Sequence, residues 1–177
     1  RKSFRGETEY GVREEGGVRA LCARSRDAGS GLFRELEVDL GATPWIHWSW
    51  KVDAGLHAGD ERTRDGDDYP ARVYVVFSGG AAFWRTRAIN YVWSSREPAG
   101  QTWPNAFTAN ARMIAVRSGS DGTGQWQSER RDVRADYRRI FGEDPGTVDA
   151  VAVMTDTDNG GGTAAACYGD IWFAADR

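Results

Sequence analysis

The sequence predicts an all-β domain: a two-sheet antiparallel β-sandwich with one short helix near residues 133–141. Three observations lead there. Apolar and polar residues alternate with a period of two over most of the chain. Glycine-rich turn signals interrupt the alternation at short intervals. One segment alone carries helical spacing. The 177 residues suit a single domain, 1–177, with room for a sizeable core.

The strand-like runs follow in order. Glu7–Val12 and Val18–Arg24 flank the turn Glu15-Gly16-Gly17, and Leu32–Val38 follows the loop Asp27-Ala28-Gly29-Ser30-Gly31. Residues Ile46 to Val52 alternate strictly, so Ile46, Trp48, Trp50 and Val52 face a core and His47, Ser49 and Lys51 face away. Ala71 to Phe77 repeats the pattern, with Val73, Val75 and Phe77 on one side and Arg72, Tyr74 and Val76 on the other. Ser78-Gly79-Gly80 leads to Ala88–Ser94, and Arg112–Val116 ends at a turn from Ser118 to Gly124. Val148–Thr155 and Cys167–Phe173 complete about nine strands, a number that fits a sandwich. In the last, Ile171 and Phe173 point inward and Tyr168, Asp170 and Trp172 outward.

The helix occupies Val133 to Phe141, where Val133, Tyr137, Ile140 and Phe141 form one face. Asp132 suits its N-cap, Gly142 the position after its end, and Pro145 blocks continuation. Cys22 and Cys167 match no zinc spacing. Each adjoins a strand-like segment, one near each end of the chain. Neighbouring terminal strands would permit a disulfide in an oxidising compartment; two buried thiols are the alternative.

Composition narrows the function. Net charge is −3, which leaves no basic excess for nucleic acid. No apolar run reaches the length of a membrane span. The start, Arg1-Lys2-Ser3, suits a mature or trimmed form. Nucleophile-elbow, P-loop, dinucleotide and zincin motifs are absent, and the only histidines are His47 and His57. The 8 tryptophans are enough both to build a core and to stack on sugars.

Five stretches carry candidate chemistry. The charged loop from Asp60 ends in Asp67 and Asp68, whose carboxylates adjoin a strand and suit a hard cation. Arg72 and Tyr74 share a strand face that His47, Ser49 and Lys51 could extend. Phe83 to Trp93 interleaves rings with Arg and Asn, and Asn90, Tyr91 and Trp93 there suit carbohydrate, as does Asn105 beside Trp103, whose place in a Trp-Pro-Asn loop keeps its ring out of the core. Asp156 and Asp158 in "MTDTDNGGG" point the same way from an extended chain, which permits a shared cation or a pair of catalytic carboxylates; an Asx turn with Asn159 and the glycines reversing the chain is the alternative. Asp170 lies inside the last strand, where aspartate needs a partner.

The segments "WIHWSWKV", "DERTRDGDDYPARVYVVF", "FWRTRAINYVW", "WPNAFT", "ERRDVRADYRRIFGEDP" and "VAVMTDTDNGG" with "YGDIWF" resemble, in order and type, a bacterial domain-of-unknown-function family, number 3047. The resemblance runs from about Phe4 to Phe173 and implies a single domain exported by Gram-negative bacteria. A weaker likeness links the first strands, the Trp-rich strand and "YGDIWF" to the jelly-roll sandwich of carbohydrate-binding modules and galactose-binding-like domains, and so implies a jelly-roll, galactose-binding-like fold. It implies a structural calcium held by Asp170 and Glu7. The chain lacks the E-x-D-x-x-E signature of laminarinase-type glycosidases and the R-[ST]-E-L-R and Q-I-H strands of alginate lyases.

These readings converge on a periplasmic or secreted monomer that binds a glycan or another polar ligand of the cell envelope without catalysis. Arg72, Tyr74, Asn90, Tyr91, Trp93 and Asn105 would form the contacts, with Asp67, Asp68, Asp156 and Asp158 along the same edge and available to a cation. A hydrolase or lyase using Asp68, Asp156 and Asp158 is the alternative, because hydrolysis needs two carboxylates flanking the scissile bond. A structural or interaction domain without a small ligand is the third.

Overall fold

The computed structural model describes residues 1–80 and 85–176. Twelve strands and one helix form a two-sheet sandwich: β1 (Lys2–Arg5), β2 (Glu9–Glu15), β3 (Val18–Arg26), β4 (Gly29–Val38), β5 (Trp45–Ala54), β6 (Ala71–Phe77), β7 (Arg87–Ser94), β8 (Thr102–Pro104), β9 (Ala111–Ser118), β10 (Gln127–Asp132), α1 (Val133–Phe141), β11 (Val148–Asp156) and β12 (Thr163–Ala174). One sheet has seven strands in the order β1-β4-β11-β6-β7-β9-β8, the other five in the order β10-β5-β12-β3-β2. All pairs are antiparallel except β7 with β9, which run parallel. None of the helices among the described residues is long and apolar enough to cross a membrane.

The alternation of β5 and β6 places their side chains as expected. Ile46, Trp48, Trp50 and Val52 from β5 meet Val73 and Val75 from β6 between the sheets, all at most 1% exposed. Aromatic rings bind the two layers: Trp48 stacks on Tyr91 with centroids 5.3 Å apart, and Trp50 lies 5.9 Å from Trp93. Each such pair adds roughly 0.5–1.5 kcal/mol beyond its buried area.

Helix α1 has the expected ends. The Asp132 carboxylate accepts the Ala135 N–H at 2.9 Å, and Gly142 takes the left-handed conformation, φ 75°, that closes the last turn. Its buried Asp136 accepts from Arg131 (2.9 and 2.6 Å), Arg139 (3.1 Å) and the Tyr91 hydroxyl (3.0 Å). The helix is thereby tied to β7 and β10.

Several elements depart from the sequence reading. β1, β8 and β10 were not anticipated, because they are short or polar throughout and show no alternation. Gly29 to Gly31, read as a turn, begin β4. β5 lies in the five-stranded sheet and β6 in the seven-stranded one, so His47, Ser49 and Lys51 face away from Arg72 and Tyr74 on the far side of the molecule. β12 carries one extra residue between Tyr168 and Ile171, and that bulge reverses the expected facing of Tyr168, which is buried.

Cys22 and Cys167 stand opposite each other on β3 and β12 and form a disulfide. It closes a span of 145 residues. In the chain-entropy account such a loop contributes about 5 kcal/mol, an upper figure because native strain and residual structure reduce it. Reduction, or a Cys22→Ala/Cys167→Ala double variant, is expected to lower the unfolding free energy by several kcal/mol. Denaturant titration with and without reductant checks this, and a reductant-insensitive midpoint would show that the bridge does not constrain the unfolded chain.

Candidate functional site

Two neighbouring features occupy the outer face of the seven-stranded sheet and its upper end: a buried ionic network and a cross-sheet row of side chains.

The network centres on Arg72. Its residue type is set by strand parity: positions 72, 74 and 76 leave the core side of β6, and a loop then covers position 72, leaving it 3% exposed. The guanidinium donates to Asp156 through Nε (2.8 Å, to Oδ1) and through Nη2 to Oδ2, a bidentate pair. It also donates to the Asp67 side chain (3.4 Å) and to the Asp67 carbonyl. The Tyr69 ring lies 4.4 Å from the guanidinium carbon, and the Tyr168 hydroxyl accepts the Arg72 backbone N–H at 3.3 Å. Asn105 donates its amide to both Asp67 oxygens at 3.1 Å and accepts the Phe107 N–H at 3.0 Å, so its side chain is committed to the loop.

Asp68 serves a different loop. Its two oxygens accept the N–H groups of Asn159 (3.0 Å) and Gly160, which fixes the turn after β11. The His57 Nδ1 accepts the Gly59 N–H at 3.1 Å; Nε2–H therefore donates to the Asp68 carbonyl at 2.6 Å. Asp158 packs its carboxylate against Gly29, where a Cβ would lie only 2.1 Å from Oδ1. One oxygen each of Asp68, Asp156 and Asp158 lies within 4.8 Å of the others. This trio is the set of side chains here that could hold a hard cation through oxygen. A second acidic group, Glu15 with Cys22 and Cys167, offers no thiolate because the cysteines are bridged.

Four carboxylates and the buried Arg72 guanidinium share this end of the sheet, and Arg5 donates to the Asp158 carbonyl at 3.0 Å from its exposed side. Burial is the main reason that Asp156 is pushed up to about 7, and Asp67 and Asp68 add to it, against the opposing pull of Arg72. Burial also raises Asp158, and Asp68 adds to that. Glu61, missed by the sequence reading, lies beneath the same loop at 1% exposure, its carboxylate accepting the Ser94 hydroxyl and the Ser95 N–H; burial raises it too. It sits in a run of surface-type charges, and nothing in that run distinguishes the one residue that turns inward.

The row crosses β6 at Tyr74, two residues from Arg72. Successive cross-strand pairs line up Phe33, Ala152, Tyr74, Asn90, Met113 and Trp103 on the outer face, from β4 to β8. At the β4 end it is open: Phe33 is 39% exposed and its ring lies 6.3 Å from that of Tyr74, with the small Ala152 between them. The Tyr74 hydroxyl reaches Met154 Sδ at 3.5 Å, and burial pushes the phenol upward, so it stays protonated. Asn90 is 1% exposed, and neither its amide nitrogen nor its oxygen has a hydrogen-bond partner. Among the described residues no other side chain has two buried unpaired polar atoms. Leaving such a group unpaired costs about 1–3 kcal/mol.

Other expected contacts fall elsewhere. Tyr91 and Trp93 face the inter-sheet core at 0% exposure; Tyr91 bonds Asp136, and Trp93 Nε1 donates to the Gly119 carbonyl at 3.0 Å. Strand parity explains this, since Asn90 and Val92 take the outer face of β7 and Tyr91 and Trp93 the inner. Trp103, read as a loop ring free of the core, is 3% exposed and packs with Tyr69, Val92 and Met113. Phe83 and Trp84 lie outside the described residues. Glu7 pairs with Arg1 at 2.9 Å, and Asp170 is exposed on β12. By register Glu7 lies beyond the Thr163 end of β12. Seven residues separate Thr163 from Asp170, about 23 Å of strand. The two carboxylates cannot share the expected calcium. The carboxylates of the hydrolase or lyase reading are close together, but Asp156 is sealed against Arg72 and Asp68 is bonded to a turn, so neither is free to flank a glycosidic bond.

Two outcomes follow from the network. Arg72→Met leaves Asp67 and Asp156 buried without a cation and is expected to cost about 3–5 kcal/mol, whereas Asp156→Asn, which leaves Asp67 facing the guanidinium, is expected to cost less than Arg72→Met. The pH dependence has a definite sign. A carboxyl whose pKa is higher folded than unfolded stabilises the fold fully below the unfolded value and loses that contribution as pH rises through the folded value. With Asp156 at about 7 when folded, the thermal midpoint is expected to rise on going from pH 8 to pH 5.5. Calorimetry at the two pH values reads this, and the rise should vanish in Asp156→Asn.

The family model described as "Protein of unknown function (DUF3047)" matches residues 1–172. The chain belongs to that family. Among solved structures it is similar to the "Xyloglucanase domain of NopAA, a type three effector from Sinorhizobium fredii in complex with cellobiose", at 8% identity over 98% of this chain and 95% of that one, with a TM-score of 0.44. No curated protein sequence matches.

Proposed function

We propose that this DUF3047 domain is an exported, non-catalytic binding module whose outer seven-stranded face holds a glycan or a similarly polyhydroxylated ligand. The observation that carries the reading is the Asn90 amide, a buried donor and acceptor without partners in the middle of an aromatic row. A hydroxyl-rich ligand supplies both missing partners at once. Phe33 and Tyr74 present rings on either side of Ala152, a notch suited to the C–H face of a sugar. From Phe33 to Asn90 the row crosses three strand spacings, about 14 Å. Export is supported by the Cys22–Cys167 disulfide, a bond that persists in oxidising compartments.

A glycan array followed by calorimetric titration of the best hit tests the proposal. Asn90→Ala and Tyr74→Ala are each expected to weaken binding at least tenfold. Asn90→Leu removes an unpaired amide and is expected to leave the thermal midpoint unchanged or raise it while binding is lost. An array without hits, or variants that bind as wild type, would overturn the reading.

A further inference from the structure

On the opposite side of β4 and β11 the two sheets part. Pairing of β12 with β3 stops at Tyr168 opposite Leu21, just where the bulge of β12 begins. β1 accompanies β4 only to Gly31. Beyond those points β4 and β12 each keep one unpaired edge among the described residues. Between them opens a cleft of about 600 Å³, a volume within the range of small-ligand sites. Leu21, Leu32, Leu36, Val153, Ile171 and Phe173 line it. Leu21, Leu32, Leu36, Ile171 and Phe173 are only half-buried, whereas the aromatic centre of the sandwich is sealed.

Two charges stand at the mouth. Arg34 lies opposite Val151, on the β4 face that also carries Leu32. Asp170 lies across the cleft on the bulged part of β12. Both are exposed, and neither forms an ion pair or hydrogen bond with a described residue. A head group carrying one sign of charge would be attracted by one of them and repelled by the other. A head with both signs satisfies both.

We propose that this cleft binds a single-chain amphiphile with a zwitterionic head. The alkyl tail lies between the sheets, the anionic group of the head faces Arg34 and the cationic group faces Asp170. Burial of each methylene is worth about 0.8 kcal/mol, or about fourfold in affinity.

The test is calorimetric titration of the full chain with decyl- and dodecylphosphocholine, both below their critical micelle concentrations. Affinity is expected to rise about fourfold per methylene. Dodecanoate and dodecyltrimethylammonium should bind at least tenfold more weakly than dodecylphosphocholine. Arg34→Glu should shift preference toward the alkylammonium, and Asp170→Lys toward the carboxylate. Leu36→Trp should block all of them, with an unchanged circular dichroism spectrum showing that the fold survives. No binding, binding independent of chain length, or head preference unmoved by both charge reversals would overturn the proposal. So would an apolar alternating peptide that binds where the amphiphiles do not, because the free strand edges would then be serving a partner strand.

Discussion

The bidentate contact between Arg72 and Asp156 is the constraint on which the upper end of the molecule depends. Arg72 sits on β6, Asp156 closes β11, and Asp67 ends the long loop that returns to β6. One guanidinium therefore fixes two strands and a loop in a single geometry. Tyr168 joins from the opposite sheet: its hydroxyl donates to the Met154 carbonyl at 2.7 Å and accepts from the Arg72 backbone. A buried ion pair contributes little net stability after desolvation, but losing one partner is severe. Its effect here is to hold the strand ends in register and so fix the neighbouring row two residues along β6.

That arrangement separates two jobs that the aspartates appeared to share. Asp67, Asp68 and Asp156 hold loops to strands and are spent on the protein itself. The groups left unspent are those of the row, with Asn90 at its inner end and the Phe33 and Tyr74 rings at its open end. The proposed binding by rings and one amide needs no activated carboxylate. Asp158 shares this cluster with Asp68 and Asp156, and its carboxylate packs on Gly29.

Much of the fold was legible because its strands obey simple physics. β5 and β6 alternate cleanly, and one face of each is sealed. The helix announced both its ends through Asp132 and Gly142. β10 was illegible, since Gln127-Ser128-Glu129-Arg130-Arg131-Asp132 is polar at every position, and its strand state comes from pairing with β5. Trp103 misled because a ring beside proline suggests a loop, whereas three residues of β8 suffice to bury it. In the site, the proximity of Asp68, Asp156 and Arg72 was foreseen from strand ends. Which of them would be free could not be, because that depends on loop backbone donors such as Asn159 N–H. The exchange of Tyr168 from outer to inner face rested on a single bulge residue that alternation cannot reveal.

The strand order also sets when the molecule can assemble. β3 finds its central partner in β12, and β4 finds its own in β11, so strands made early wait for those made last. Until then the edges of β3 and β4 are open templates for wrong partners. The Cys22–Cys167 bridge spans β3 and β12, so it closes only after the last strand has been made and has found its place.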